Sequence, residues 1–292
     1  MAAGETGPQF RRVAIVGLGL MGGSLAMALR RLPRPPRIVA ASANAGDLER
    51  GLAQGIVDEA AEDPPGAVAE ADLVVYATPV SVTLELLAST RSRIPDDAVV
   101  TDVGSVKRPV VSRARAVGLG SRFIGGHPVA GSHRSGLAAA RADLYAGARV
   151  WLTPADADGA RDPAAAQTLE RVAALWRSVG AEPGVIGAEE HDRLMAWASH
   201  LPQIAASALA SALARAGIAR ADLGPGGADT TRIAASPPAL WADILRHNAD
   251  LVRRPLDALQ GALAELAAAL ERGDGEALER LLALASAWRS EE

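Results

Sequence analysis

Arg12-Val13-Ala14-Ile15-Val16-Gly17-Leu18-Gly19-Leu20-Met21-Gly22-Gly23 is the stretch that decides the fold. Its opening run is short, apolar and rich in β-branched side chains, the composition of a buried strand. The glycines follow at once with the spacing Gly17-x-Gly19-x-x-Gly22, and residues 24–31 then read as a helix stopped by Pro33. The spacing has a physical reason. Gly17 permits a tight turn, Gly19 lets the backbone approach a pyrophosphate, and Gly22 lets helix and strand pack closely. The helix N-terminus then faces the phosphate charge. Gly17, Leu18, Gly19, Leu20, Met21 and Gly22 are therefore candidate dinucleotide-binding residues.

The pattern continues outward from this unit. Strands are expected at residues 37–41, 73–77 and 98–102, separated by helices at 47–54 and 82–89. Thr78 and Pro79 end the third strand on the side where a doubly wound sheet binds its ligand, and they join the cofactor-binding candidates. Strand–helix alternation implies right-handed crossovers and a parallel sheet. Further strands are expected at 122–125, 149–152 and 182–186, with a helix at 164–179. After Gly187 the texture becomes helical. Residues 188–216 read as helix interrupted only by Pro202, 223–229 as a Gly-rich loop, and 238 onward as helix broken near Pro255 and Gly273. The expected fold class is α/β: a Rossmann-type, doubly wound parallel sheet in residues 1–186, then an all-helical domain in residues 187–292.

An acidic residue at the end of the second strand would bind a ribose 2′-hydroxyl and favour NAD. Here Ser42, Ala43 and Asn44 stand in that place. No carboxylate repels a 2′-phosphate, and Ser42 and Asn44 can donate to one. No arginine follows to clamp it. The cofactor is NAD or NADP, with the balance slightly toward NADP.

Composition narrows the function classes. The chain has 292 residues, 49% hydrophobic and 22% charged, with a net charge of −4, a globular profile. No Lys/Arg run is long enough for a nucleic-acid patch. There is no cysteine, which excludes disulfides, thiolate catalysis and Cys-based metal sites. No apolar segment reads as a signal peptide or a membrane span. The expectation is a cytoplasmic enzyme without metal, nucleic-acid or membrane partners.

Dehydrogenation of an alcohol needs a group that takes the hydroxyl proton. The chain has five histidines: His127, His133, His191, His200 and His247. His127 follows Gly125-Gly126 and precedes Pro128, an irregular backbone expected just beyond a strand, where the ligand crevice lies. Its ordinary pKa suits a base near neutral pH. His191 and His247 read as surface or structural residues. Lys107, in Asp102-Val103-Gly104-Ser105-Val106-Lys107, is the only lysine, against 29 arginines (30 − 1). That bias hints at a need for a compact ammonium there.

These residues also carry a resemblance. GLGLMGGSLA at 17–26, ADLVVYATPV at 71–80, TDVGSVK at 101–107, FIGGHPVAGSHRSG at 123–136, EEHDRLMAWASHLP at 189–202 and DTTRIAASPPALWADI at 229–244 run in order along the chain. Together they resemble the prephenate/arogenate dehydrogenase family of tyrosine biosynthesis. The resemblance implies oxidative decarboxylation of a cyclohexadienol, with hydride passing to NAD(P)⁺ and the ring becoming aromatic. By position it implies His127 as acceptor of the ring hydroxyl's hydrogen bond and Ser105 as the residue orienting that hydroxyl. It implies Arg232 on a substrate carboxylate and His200 in a polar network beside substrate and nicotinamide. Ser132 and His133 fall in the segment around His127 and Gln203 three residues after His200, and the resemblance implies all three on the substrate side. Two positions depart from many prephenate-using relatives: Gln203 stands where they have a second histidine, and His133 where they have glutamate. The two changes pull opposite ways on the substrate's side chain, so prephenate against arogenate stays open.

Leu256, Leu259, Leu263, Leu266 and Leu270 form a seam of seven-residue period. It fits either an intrachain core stripe or a partner helix, and the resemblance points to a homodimer through the helical domain. Two other readings compete. A β-hydroxyacid dehydrogenase or imine reductase of similar architecture would want a lysine or acid on the long helix after the boundary. A non-catalytic dinucleotide sensor would need no histidine–serine pair.

Overall fold

Along β1 (Arg12–Val16) side chains alternate between two cores. Val13 and Ile15 join one, Ala14 and Val16 the other, the burial on both faces that a strand with helices on either side requires. The computed structural model describes residues 10–131, 134–155 and 162–290. Its sheet has eight strands in the order β3-β2-β1-β4-β5-β6-β7-β8. The others are β2 (Arg37–Ala41), β3 (Glu59–Ala60), β4 (Leu73–Tyr76), β5 (Val99–Asp102), β6 (Phe123–Pro128), β7 (Arg149–Pro154) and β8 (Glu182–Val185). Between them run α1 (Leu20–Arg30), α2 (Ala45–Ala53), α3 (Pro64–Val68), α4 (Val80–Ser89), α5 (Arg108–Ala116) and α6 (Pro163–Ser178). α1 and α6 bring Leu25, Leu29, Val172 and Trp176 to the first core; α4 and α5 bring Leu87, Val110 and Val111 to the second.

The edge strand β3 and the helices α3 and α5 were not expected from the sequence, and three further details differ from its reading. α1 begins at Leu20, within the glycine motif, because Gly19 is its N-cap. β7 runs antiparallel to β6, whereas every other neighbouring pair is parallel. A parallel return needs a crossover helix; among the described residues of the β6–β7 connection the only helical element is one short 3₁₀ turn, Leu137–Ala139. Lastly, His127 lies inside β6 rather than beyond it, paired with Trp151 of β7. Pairing with β5 stops at Ile124, so the far end of β6 is an edge on that side and tolerates Pro128.

The helical part comprises α7 (Ala188–Met195), a π turn (Ala196–His200), α8 (Leu201–Arg215), α9 (Pro225–Thr231), α10 (Pro238–His247), α11 (Ala249–Glu271) and α12 (Gly275–Ser290). The break in the long helix is the π turn, just before Pro202. Proline lacks an N–H and its ring crowds the carbonyl four residues back, and a widened turn relieves both. The expected Gly-rich loop is mostly α9, started by Pro225 in its first turn, where a missing N–H costs nothing. The expected break at Pro255 is absent: the proline is buried inside a continuous α11. Among the described residues no helix is long and apolar enough to cross a membrane.

Two aspartates from the helical part cap helices of the sheet part. Asp192 accepts from the backbone N–H of Lys107 and Arg108 (2.7 and 2.8 Å) at the start of α5. Asp243 accepts from Ser81 N–H (3.1 Å) at the start of α4. Neither α4 nor α5 has a side-chain cap of its own, so these carboxylates satisfy otherwise orphaned donors. They fix the helical part over the C-terminal ends of β4 and β5, where the cleft opens.

Candidate active site

The glycine turn is built for close approach. Gly17 has φ +102°, and a side-chain carbon there would fall 2.4 Å from the Ala77 carbonyl oxygen; at Gly22 it would fall 2.0 Å from that of Gly17. Gly19 is the opposite case, with nothing within 4 Å of such a carbon and no side chain capping α1. Open space above uncapped helical N–H groups suits a pyrophosphate. Leu18 is fully buried in the core, so its side chain packs there rather than facing the cleft. Beyond β2, Ser42 Oγ accepts from Asn44 N–H and Asn44 Oδ1 accepts from Asp47 N–H, each at 3.3 Å. Both polar side chains thus shape the entry to α2.

A cleft of about 610 Å³ runs from this turn to the helical part. Gly19, Leu20, Met21, Thr78, Pro79 and Ser105 line one side, and Gln203 and Arg232 the other, with Pro128 between. Arg232 is mostly exposed, with Nε 3.5 Å from Asp229. Gln203 Nε2 donates to the Ile233 carbonyl (3.0 Å) and to Ser207 (3.2 Å), tying the Arg232 segment to α8. Ser132 and His133 lie outside the described residues.

His127, one residue before Pro128, is only 8% exposed. Burial first, then the neighbouring His191, Lys107 and His200, hold its pKa well below 6.5, so it is neutral at physiological pH. Beneath it Lys107, fully buried, donates to Asp102 Oδ2 (2.5 Å) and to the Gly126 carbonyl (2.7 Å). Asp102 in turn accepts from Gly104 and Gly126 N–H. A side-chain carbon at Gly126 would fall 2.5 Å from the Asp102 carbonyl oxygen, which explains a glycine before the histidine.

His200 is also buried, packed edge-on against Trp241 with ring centroids 6.0 Å apart. Asn248 orients it. The Asn248 amide is fixed because its Oδ1 accepts from Arg108 (3.0 Å) and its Nδ2 donates to the Asp192 carbonyl (2.9 Å). Nδ2 therefore also donates to His200 Nδ1 (3.2 Å), leaving the ring proton on Nε2. That atom is buried and has no hydrogen-bond partner among the described residues. Burial brings the His200 pKa down to about 4, so it is a neutral donor at pH 7.

His191, read from sequence as surface or structural, is fully buried and hydrogen-bonded to His127. Asp192, Asn248 and His191 were all missed as site residues. The one signal available was polar: His191 and Asp192 share a buried face of α7 with Met195, a face that should have been apolar.

A pH prediction follows from these burials. Folding lowers the pKa of His127, His191 and His200, with desolvation the largest cause in each. Below about 6.5 the unfolded chain binds protons that the folded chain refuses, so stability is full above that pH and declines as pH falls. Thermal melting followed from about pH 7.5 to about pH 4.5 should show Tm dropping steadily through this window; a flat Tm would contradict three buried neutral imidazoles.

A glycine cradle facing a helical domain across one cleft is the layout of the two-domain, nicotinamide-dependent dehydrogenases. The model of the prephenate dehydrogenase nucleotide-binding domain matches residues 25–184, and that of the prephenate dehydrogenase dimerization domain matches 187–284. The chain is 34% identical over 284 residues to the prephenate dehydrogenase of Bacillus subtilis, covering 95% of this chain and 75% of that one. The crystal structure of prephenate dehydrogenase from A. aeolicus, in complex with hydroxyphenyl propionate and NAD+, has a TM-score of 0.85 at 31% identity, covering 96% and 97% of the two chains. That of Synechocystis arogenate dehydrogenase has a TM-score of 0.77 at 29% identity, covering 95% and 98%. The chain belongs to the prephenate dehydrogenase family.

Proposed function

We propose that this chain is a cytoplasmic, homodimeric enzyme that oxidatively decarboxylates prephenate, arogenate or both. Residues 1–186 hold NAD(P)⁺ and residues 187–292 complete the substrate site and carry the dimer interface. The observation that carries the reading is the single cleft shared by the glycine turn, Ser105 and Arg232, with a neutral buried imidazole next to its Pro128 wall. The nicotinamide, when bound, supplies the acceptor for the hydride that leaves the hydroxyl-bearing ring carbon.

The chain's own groups do the rest. Gly17 to Gly22 hold the pyrophosphate, and Thr78 and Pro79 border the cofactor on the other side. Ser105 orients the ring hydroxyl toward His127, which takes its proton through Nε2 as the carbonyl character develops. The bond from ring to carboxylate breaks, its electron pair enters the ring, and carbon dioxide leaves. The proton returns to the oxygen of the aromatic product. Aromatisation drives the step, so no electron sink other than the ring is required. Arg232 binds a substrate carboxylate with its planar fork, and His200 Nε2–H supplies a buried donor toward the same site. Ser132 and His133, five and six residues after His127 in the sequence, are assigned to the substrate side.

The side-chain preference has one pointer. Gln203 Nε2 is engaged by Ile233 and Ser207, so the atom it has left is the acceptor Oε1. An alanyl ammonium needs such an acceptor and a pyruvyl carbonyl does not, which favours arogenate. At the ribose end, no carboxylate follows β2 to repel a 2′-phosphate and no arginine follows to clamp one. NADP⁺ is preferred slightly, with a ratio of kcat/KM values within about tenfold. Dimer formation is supported by Leu263, Leu270, Leu282, Leu284 and Trp288, each 58–75% exposed on α11 and α12. Two of the five seam leucines, Leu263 and Leu270, are thus uncovered in the single chain, and exposed apolar side chains grouped in this way mark an association surface.

A spectrophotometric assay of the purified chain with prephenate and with arogenate, each against NAD⁺ and NADP⁺, tests the reading. Reduced cofactor should appear with at least one pair; none with any of the four rejects it. Arg232→Gln is expected to raise KM about tenfold, the lower end for a charged hydrogen bond at an exposed side chain, with little change in kcat. An unchanged KM would remove Arg232 from the substrate site.

A further inference from the structure

His127 is the end of a hydrogen-bonded chain. Its Nδ1 lies 2.8 Å from His191 Nε2, with the rings edge-on at 75°. His191 Nδ1 lies 2.7 Å from Asp192 Oδ1. Both His191 and Asp192 are completely buried. Three more donors converge on the same carboxylate: Lys107 N–H (2.7 Å), Arg108 N–H (2.8 Å) and Arg108 Nε (3.4 Å). Burial alone would raise the Asp192 pKa, but the hydrogen bonds from His191, Lys107 and Arg108 outweigh it and lower the value. Asp192 is therefore an anion, an acceptor at both oxygens.

The proton positions follow one from another. The proton between Asp192 and His191 sits on His191 Nδ1, because the carboxylate has none to give. Burial keeps His191 neutral, so its Nε2 carries a lone pair. The contact to His127 must then use the hydrogen on His127 Nδ1. A neutral His127 with hydrogen at Nδ1 has its remaining lone pair at Nε2. We infer that Asp192 and His191 are positioning residues that lock His127 in the tautomer whose Nε2 accepts the substrate's proton. A neutral histidine left to itself favours hydrogen on Nε2, which would present a donor where an acceptor is needed. When Nε2 takes the proton, the imidazolium keeps its Nδ1–H bond to His191, and the Asp192 charge stabilises it through that ring without accepting a proton. The reactive role of His127 itself rests on the function proposed above.

Imidazole ¹⁵N spectra of the full-length protein labelled at histidine test this directly. Only five histidines contribute, and His127→Asn identifies the signals of His127. In the wild type, Nδ1 of His127 is expected to be protonated and Nε2 unprotonated at about pH 7.5. The reverse pattern overturns the inference, whatever the variants do. In His191→Leu the proton should move to Nε2 of His127 and kcat should fall about 10²–10⁴-fold, with KM for the nucleotide unchanged. His191→Gln offers an oxygen to His127 and an N–H to Asp192, and should recover about tenfold or more of that loss. A folded His191→Leu that keeps both the wild-type tautomer and its turnover overturns the inference. Spectra as expected combined with normal turnover in His127→Asn would leave the tautomer lock standing and reject His127 as the base.

Discussion

His127→Asn is expected to lower kcat about 10³–10⁴-fold while leaving nucleotide affinity within about twofold of wild type. Asparagine keeps a polar group in β6 that can still meet His191, so the buried chain to Asp192 retains a partner and the fold survives. It has no lone pair basic enough to take a hydroxyl proton. The interaction lost is made as that proton moves, so the deficit falls on kcat rather than KM. The nucleotide turn at Gly17 to Gly22 belongs to another strand and is untouched. Stopped-flow measurement of cofactor reduction, beside nucleotide titration by fluorescence, separates the two quantities. Turnover within about tenfold of wild type would remove His127 from the chemistry.

Lys107→Met is expected to destabilise the sheet domain strongly, costing about 3–5 kcal/mol. Lys107 and Asp102 are both buried and in contact at 2.5 Å. Methionine fills the space but leaves the Asp102 carboxylate without a counter-charge and the Gly126 carbonyl without its donor. For a chain of this size the loss corresponds to a Tm drop of about 6–15 °C. An exposed ion pair such as Arg177–Glu170, at 2.8 Å with both side chains more than half exposed, is the contrast: Arg177→Ala should change stability by less than about 1 kcal/mol. The double variant Lys107→Met/Asp102→Leu should recover most of the loss, because the cost lies in the orphaned charge rather than in the missing attraction. Calorimetry of the four proteins decides; a Lys107→Met protein as stable as wild type would mean that the buried Lys107–Asp102 contact contributes nothing to the fold's stability. Since Gly126 leads directly into His127, the pair also anchors the strand that carries the imidazole.

The glycine turn, the alternating strands and the helical second half were legible because each is local. A φ of +102° at Gly17 and the short apolar, β-branched run of β1 are properties of neighbouring residues, and the chain writes them in order. Gly125-Gly126 before His127 was legible as a special backbone, although its cause, the Asp102 carbonyl lying against Gly126, was not. α9 and the unbroken α11 were missed because proline and glycine weigh heavily in a local reading and packing overrides them.

The sequence by itself therefore determined the class of fold, the nucleotide turn and, through ordered motifs, a histidine, a serine and an arginine for the cleft. Tertiary structure alone decided what those groups can do. His127 meets His191 across 64 positions, Lys107 meets Asp192 across 85, and Arg108 meets Asn248 across 140. The protonation state of an imidazole depends on which atoms surround it in space, and periodicity along a helix or strand records only which face a residue occupies, never what waits opposite that face.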